Sequence, residues 1–472
     1  MKSALKASIL RKVTLTPNMP TVRPAAVAGM FYPRDPRQLA TEVADLLDGV
    51  EQAGPQLDFP KALIVPHAGY VYSGPVAAAA YDAAAPGRGI IQRVVMLGPV
   101  HRVPVRGLAL PGSDAFDTPL GRVPIDAQAL RLLDGLPQVV TSAAAHAQEH
   151  SLEVQLPFLQ RVLGGFSLVP FAVGDARPDE VAAVIGRLWG GRETLFVLSS
   201  DLSHYHSYDE AKSIDGATVA RIARFATDLD HGEACGATPL NGLLHAARQR
   251  SLQIRLLAAC NSGDTAGAKA RVVGYSSFAL YEAGSVSLEA AGRTLIAVAR
   301  AAIAQRLGLQ AEAAVADAQP WLKQSGASFV TLVLEGRLRG CIGSLSAVRS
   351  LGEDVADNAP RAAFHDPRFP ALTRDEWPRC RVEVSLLSAP KPVRFADEAD
   401  LLSQIRRGED GLILECDGRR ATFLPQVWEG LPEPRQFLEA LVHKAGLPGD
   451  TRLARCRLWR YRVHKWKQEA LQ

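Results

Sequence analysis

What the chain lacks narrows it first. Its six cysteines, Cys235, Cys260, Cys341, Cys380, Cys416 and Cys456, include no CxxC pair. That argues against a zinc ribbon, a thioredoxin-type motif or a disulfide framework, and it points to a reducing cytoplasm. No apolar run approaches the length that spans a bilayer, so no membrane partner is expected. A formal net charge of +4 is small for 472 residues, and nothing global marks nucleic acid as a partner. The first residues carry Lys2, Lys6, Arg11 and Lys12 without an acid, but no apolar stretch there is long enough for a secretory core. Residues 1–22 are expected to form a mobile tail, with a transit peptide as the other reading.

What is there has a globular composition, with 47% hydrophobic and 22% charged residues. The length exceeds one ordinary core and predicts two domains, 23–283 and 284–472. In the first, the run Ala62-Leu63-Ile64-Val65 reads as a buried strand that ends on Pro66-His67-Ala68-Gly69-Tyr70. The pattern recurs. Arg93 to Leu97 runs into Gly98-Pro99-Val100-His101, and Thr194 to Leu198 runs into Ser199-Ser200-Asp201-Leu202-Ser203-His204. Ligands of open α/β sheets bind outside the carboxyl ends of the strands. Three such runs therefore predict that His67, His101 and the Asp201/His204 pair meet at one edge of one sheet.

Between these strands lie helical patterns, among them Pro36 to Val50, and Val76 to Ala85 with Ser73 as its N-cap and Pro75 in its first turn. A helix over Glu149 to Leu159 would place His150 and Glu153 on one face, three residues apart. Alternating strands and helices predict an α/β first domain with helices on both faces of a central sheet. Near Gly284 the pattern changes to hairpins. Phe329 to Leu334 is joined to Leu338 to Gly343, and Gly411 to Glu415 is joined through Asp417-Gly418 to Ala421 to Leu424. With the helix Gln436 to Ala445, these predict an α+β second domain.

Two neutral imidazoles and one anionic ligand with open positions suit a catalytic transition metal. His67 and His101 are the imidazoles, and Cys235 supplies the anion as a thiolate at the start of a helix, where the dipole favours it. His204, oriented or assisted by Asp201, would move protons near neutral pH. Tyr70, His150 and Glu153 are the candidate substrate-binding residues. Each has a plainer reading: a hydrogen-bonded loop histidine, a small buried cysteine, a turn aspartate or a polar helix face. His146, His206, His231 and His245 are assigned structural roles. The basic and aromatic stretch Arg455 to Lys467 reads as a terminal strand with inward aromatics in preference to an RNA-binding surface.

Five separated motifs resemble, in order, those of the Memo family. They are Pro66-His67-Ala68-Gly69-Tyr70, Gly98-Pro99 with His101, His150-Ser151-Leu152-Glu153, Ser199-Ser200-Asp201 with His204, and Cys235-Gly236 with Pro239. The resemblance implies a fold like that of the class III extradiol dioxygenases, with His67, His101 and Cys235 at the metal-site positions and Asp201 and His204 lining the pocket. Some members carry a second His where this chain has Arg102. The resemblance makes iron the first expectation for the metal and copper the second, while a thiolate in place of a carboxylate shifts the preference toward copper(I), zinc or a more covalent iron site. Leu338-Arg339-Gly340-Cys341-Ile342-Gly343 and His365-Asp366-Pro367-Arg368-Phe369 are similar to AMMECR-family motifs. There Arg339, Gly340 and Cys341 form the candidate site, either as a reactive thiol beside a guanidinium or as a closely packed hairpin. Members of the two families are associated with a radical-SAM protein in a three-part system, AmmeMemoRadiSam. The resemblance thus implies a metal-dependent oxidoreductase-like enzyme acting on an unknown small molecule beside a radical-SAM partner. The alternative is a non-catalytic module that recognises a ligand, a peptide or RNA.

Overall fold

The computed structural model describes residues 21–51, 57–282, 288–310 and 319–468. The expected tail lies outside these except at its end, where Thr21 and Val22 are already placed. The change of pattern near Gly284 also lies outside them.

The strands of the first domain are β1 (Val22–Arg23), β2 (Ala62–Val65), β3 (Arg93–Pro99), β4 (Leu108–Leu110), β5 (Ala115–Thr118), β6 (Gly121–Pro124), β7 (Val139–Thr141), β8 (Ser167–Val173), β9 (Thr194–Ser199), β10 (His204–His206), β11 (Gln253–Asn261) and β12 (Val272–Tyr281). Its helices are α1 (Pro36–Asp48), α2 (Tyr70–Ala84), α3 (Ala127–Arg131), α4 (Ala143–Ala147), α5 (Leu156–Leu163), α6 (Pro178–Arg187), α7 (Tyr208–Ala223) and α8 (Ala237–Gln249). The main sheet runs β10-β12-β2-β9-β3-β8-β4-β7, with β11 paired to β12. At its centre β2, β9, β3 and β8 are parallel. Their apolar runs are continuous because both faces are covered. Leu63, Val65, Val94, Met96, Leu195 and Val197 pack into one core with α1, α2 and α5. Ala62, Ile64, Val95, Leu97, Phe196 and Leu198 pack into another with α6 and α8. The α/β expectation for this domain holds.

Chain order and sheet order differ in the way that matters for function. The strand β9 lies between β2 and β3, so Val65 pairs with Ser199, and Leu97 with Leu198. The three strand ends are therefore adjacent. Two local expectations fail. Helix α2 begins at Tyr70, whose N–H donates to the Phe31 carbonyl at 2.8 Å, so Pro75 sits inside it and Ser73 is no cap. The segment after Glu149 is a turn and a short 3-10 helix, Glu153–Gln155, before α5. The Glu149 carboxylate accepts from the N–H groups of His150 and Ser151, each at 2.9 Å, and this local bonding competes with helix.

The second domain is α+β, as expected. Helices α9 (Leu288–Arg306) and α10 (Leu351–Phe364) cover one face of a sheet made of β13 (Ser325–Leu334), β14 (Arg337–Gly343), β15 (Arg349–Ser350), β16 (Cys380–Leu387) and β21 (Val463–Lys467). A smaller sheet, β17 (Lys391–Val393), β20 (Arg457–Tyr461), β18 (Gly411–Cys416) and β19 (Arg419–Phe423), packs on α11 (Glu398–Gln404) and α12 (Pro434–Lys444). The stretch Arg455 to Lys467 thus forms two strands, with Trp466 and Tyr461 packed inward. One cysteine expectation is corrected. Cys416 and Cys456 form a disulfide, because the β18–β20 register that pairs Glu415 with Arg457 brings the next two residues to a Cα separation of 4.6 Å.

Candidate metal centre

Each strand end delivers a group together with its anchor. His67 lies two residues beyond β2. Its N–H donates to Asp201 Oδ1 at 2.7 Å, its Nδ1 is 2.8 Å from Ser199 Oγ, and its Nε2 is 3.3 Å from Cys235 Sγ. His101, beyond β3, places Nδ1 2.9 Å from Glu149 Oε1, while its N–H donates to Glu149 Oε2 at 2.7 Å. His150 follows Glu149 directly and stacks on His101 with ring centroids 4.6 Å apart. Its other side meets the Phe31 ring at 4.7 Å. His204 donates from Nδ1 to the Leu202 carbonyl at 2.9 Å.

Close approach at two glycines makes this geometry possible. A Cβ on Gly98 would lie 2.7 Å from Ser151 Oγ, and one on Gly236 would lie 2.7 Å from Ser200 Cβ and 2.8 Å from the Ser199 carbonyl. Gly236 is also the residue that follows Cys235 and opens α8. Without these glycines the His150 segment and the Cys235 loop would stand away from the strand ends.

One ligand atom each from His67, His101 and His150 lies within 4.8 Å of the other two, so these three could hold a metal ion. The electrostatics suit that. Burial, with the neighbouring His150, His101 and His204, holds the His67 imidazole well below its ordinary range. Burial brings His150 down to about 4. Both rings are neutral at pH 7, as a ligand must be. Burial pushes Asp201 up to about 7. Burial, and then the Asp201 charge, push the Cys235 thiol up to about 12. Without a cation Cys235 is therefore a thiol, and the helix start does not make it a thiolate. A bound cation would invert that balance.

The structure thus gathers His67, His101, His150, His204, Asp201 and Cys235. It does not bring Tyr70 or Glu153 to this place. The Tyr70 hydroxyl is buried and donates to the Val154 carbonyl at 2.6 Å. Glu153 is fully buried. It pairs with Arg23 at 2.7 Å and accepts from Tyr32 Oη at 2.6 Å and from the N–H groups of Ala26 and Val27. The Asp201–His204 pairing is also replaced: Asp201 binds the His67 backbone, and the Leu202 carbonyl orients His204. Glu149, Ser199 and Gln155 carried no assignment from sequence. The signal available was their position, since Glu149 precedes His150 and Ser199 closes the β9 run.

In the second domain the Arg339-Gly340-Cys341 motif is used for packing. The Arg339 guanidinium holds Glu376 at 2.9 and 3.1 Å and the carbonyl of Pro370 at 2.8 Å. A Cβ on Gly340 would meet the Ala362 carbonyl at 2.1 Å. The Cys341 N–H donates to Asp366 at 2.8 Å, and its Sγ accepts from Thr331 Oγ1 at 3.3 Å.

This fold and this histidine cluster define an α/β domain with a candidate metal-binding site, joined to an α+β domain. The chain belongs to the Memo family: the family model for Memo-like proteins matches residues 23–279, and the model for AMMECR1 matches residues 296–466. A "MEMO1 family protein" of Aquifex aeolicus is 37% identical over 267 residues, covering 54% of this chain and 97% of that protein. Another, from Aeropyrum pernix, is 37% identical over 279 residues, covering 54% and 98%. A crystal structure of an uncharacterized protein from Pyrococcus horikoshii is 31% identical, with a TM-score of 0.34, and covers 38% of this chain and 91% of its own. Among the described residues no helix is long and apolar enough to cross a membrane.

Proposed function

We propose that the first domain is a metal-dependent, oxidoreductase-like module acting on a small molecule, with iron or, second, copper held by His67, His101 and His150. The observation that carries this is the convergence of the His67, His101 and His150 imidazoles, with one ligand atom of each within 4.8 Å of the others, beside adjacent strand ends. Imidazole suits iron, copper and zinc, and the Cys235 sulfur beside His67 would add a soft donor that favours a redox-active ion. Such an ion would supply Lewis-acid or one-electron chemistry. The chain itself supplies orientation and proton handling. Asp201, buried, with Oδ2 3.9 Å from His67 Nε2, and His204 are the groups that hold a proton at the site. His101 lies on the exposed side, with 28% of its side chain accessible, and marks the side from which a substrate enters. The union of the two domains in one chain supports a shared pathway, in which a radical-SAM protein is the expected third partner.

A second reading, recognition without catalysis, has one observation in its favour. Tyr205, beside His204 with ring centroids 5.7 Å apart, is 64% exposed and holds a left-handed φ of 64°. An exposed ring held in that conformation at a site margin suits contact with a partner. Metal content of anaerobically purified protein separates the two. Near-stoichiometric iron or copper, lost in His67→Ala and His150→Ala, supports the metal reading. Absence of metal, or metal retained in both variants, supports recognition.

A further inference from the structure

The hydrogen bonds around the imidazoles can be directed one by one, because several of them end on groups that only accept. Ser199 Oγ has three polar neighbours: the Ser151 carbonyl at 2.6 Å, Gln155 Nε2 at 2.9 Å and His67 Nδ1 at 2.8 Å. A carbonyl accepts only, so the single hydroxyl proton of Ser199 goes to Ser151. The Gln155 amide is oriented by its other contacts. Its nitrogen faces the Pro66 carbonyl at 2.9 Å, and its oxygen accepts from the Tyr81 hydroxyl at 2.7 Å. Gln155 therefore donates to Ser199 as well. With its proton spent and Gln155 bound, Ser199 can only accept from His67. The proton of His67 sits on Nδ1, and Nε2 turns a bare lone pair toward Cys235.

His101 is anchored through the same nitrogen by another route. Its Nδ1 meets the Glu149 carboxylate, an acceptor only, which also takes the N–H groups of His101, His150 and Ser151. His204 repeats it on the Leu202 carbonyl. His146, buried outside the site, does the reverse: its Nε2 donates to the Ala109 carbonyl at 2.7 Å, and its Nδ1 has no partner among the described residues. Each ring's own anchor sets its tautomer: His231, outside the cluster, also donates from Nδ1, to the Cys235 carbonyl at 3.2 Å.

We infer that Ser199, aligned by Gln155, and Glu149 are positioning residues that lock His67 and His101 as Nδ1–H tautomers with Nε2 bare. The donor atoms are then set before any ligand arrives. Groups that orient a ligating imidazole in this way fix which nitrogen binds and raise its basicity. The inference rests on the metal reading for its purpose, but not for its geometry.

The test uses the full chain with histidine-selective 15N labelling, stripped of metal, at a pH well above the ordinary imidazole range. Two-bond 1H–15N spectra report the tautomer of each ring. The expected result is Nδ1–H for His67 and His101 and Nε2–H for His146, whose unchanged signals also report that each variant is folded. Ser199→Ala should release His67 and leave His101 as it was, and Glu149→Gln should do the converse. Cobalt(II) titration should then show each variant binding on the order of 10- to 100-fold more weakly. Nε2–H at His67 or His101 in the unmodified protein overturns the inference, as do unchanged tautomers or unchanged cobalt affinity in both variants. If the tautomers are as stated and the unmodified protein takes up no cobalt, the positioning stands and the metal reading falls.

Discussion

The two domains each carry a specific motif, and they use their polar groups in opposite ways. In the second domain Arg339 and Glu376 are spent on each other and on backbone, and Asp366 on the Arg368 guanidinium and the Cys341 N–H, holding the segment after α10 against the β13–β14 hairpin. In the first, His67 and His101 spend one nitrogen on an anchor and, with His150, offer ligand atoms to a common space. The same contrast appears within one segment: Glu149 fixes imidazoles, and four residues on Glu153 is consumed by Arg23 and backbone. A distinctive motif therefore marks close packing as readily as chemistry. Unspent lone pairs on anchored groups are what distinguish a site.

That contrast can be broken by comparing stability with metal content. The largest loss is expected from Glu153→Ala, which strands Arg23 in the interior. Roughly 3–5 kcal/mol should disappear from the unfolding free energy of the first domain in denaturant titrations. His146 should come next, and its effect depends on pH. Burial lowers it from 6.5 to about 4. Between those values the unfolded chain binds a proton that the folded one does not, so stability is whole above the window and falls as pH drops through it. On the order of 3 kcal/mol should be lost across that range, and the stability gap between the natural chain and His146→Gln should narrow accordingly. Arg339→Ala should cost about 2 kcal/mol in the second domain and leave metal content untouched; a loss of metal there would erase the contrast between the two regions. The smallest stability effect, roughly 0.5 kcal/mol, is expected for the half-exposed His101→Ala. Yet that variant should lose the metal. Were His101→Ala as destabilising as Glu153→Ala, the imidazoles would be structural after all.

The sequence by itself determined the strands and what stands at their ends. Continuous apolar runs at Ala62, Arg93 and Thr194 are local signals of a sheet buried on both faces, and a histidine or aspartate just beyond such a run is visible in one dimension. It determined as well that Cys235 precedes a helix and that hairpins replace alternation in the second half. Only the tertiary structure decided partners. The insertion of β9 between β2 and β3 is a choice of pairing between distant segments, and it makes Ser199 a neighbour of His67 across 132 residues. The competition for Glu149 between helix and local backbone bonds sends His150 to the site and Glu153 to Arg23, 130 residues away. Cys416 and Cys456 likewise meet only because β18 and β20 pair in that register. Strand character is written in neighbours along the chain. Which nitrogen is bare, which carboxylate is spent and which thiols meet depend on contacts that only the closed sheet and its packed helices create.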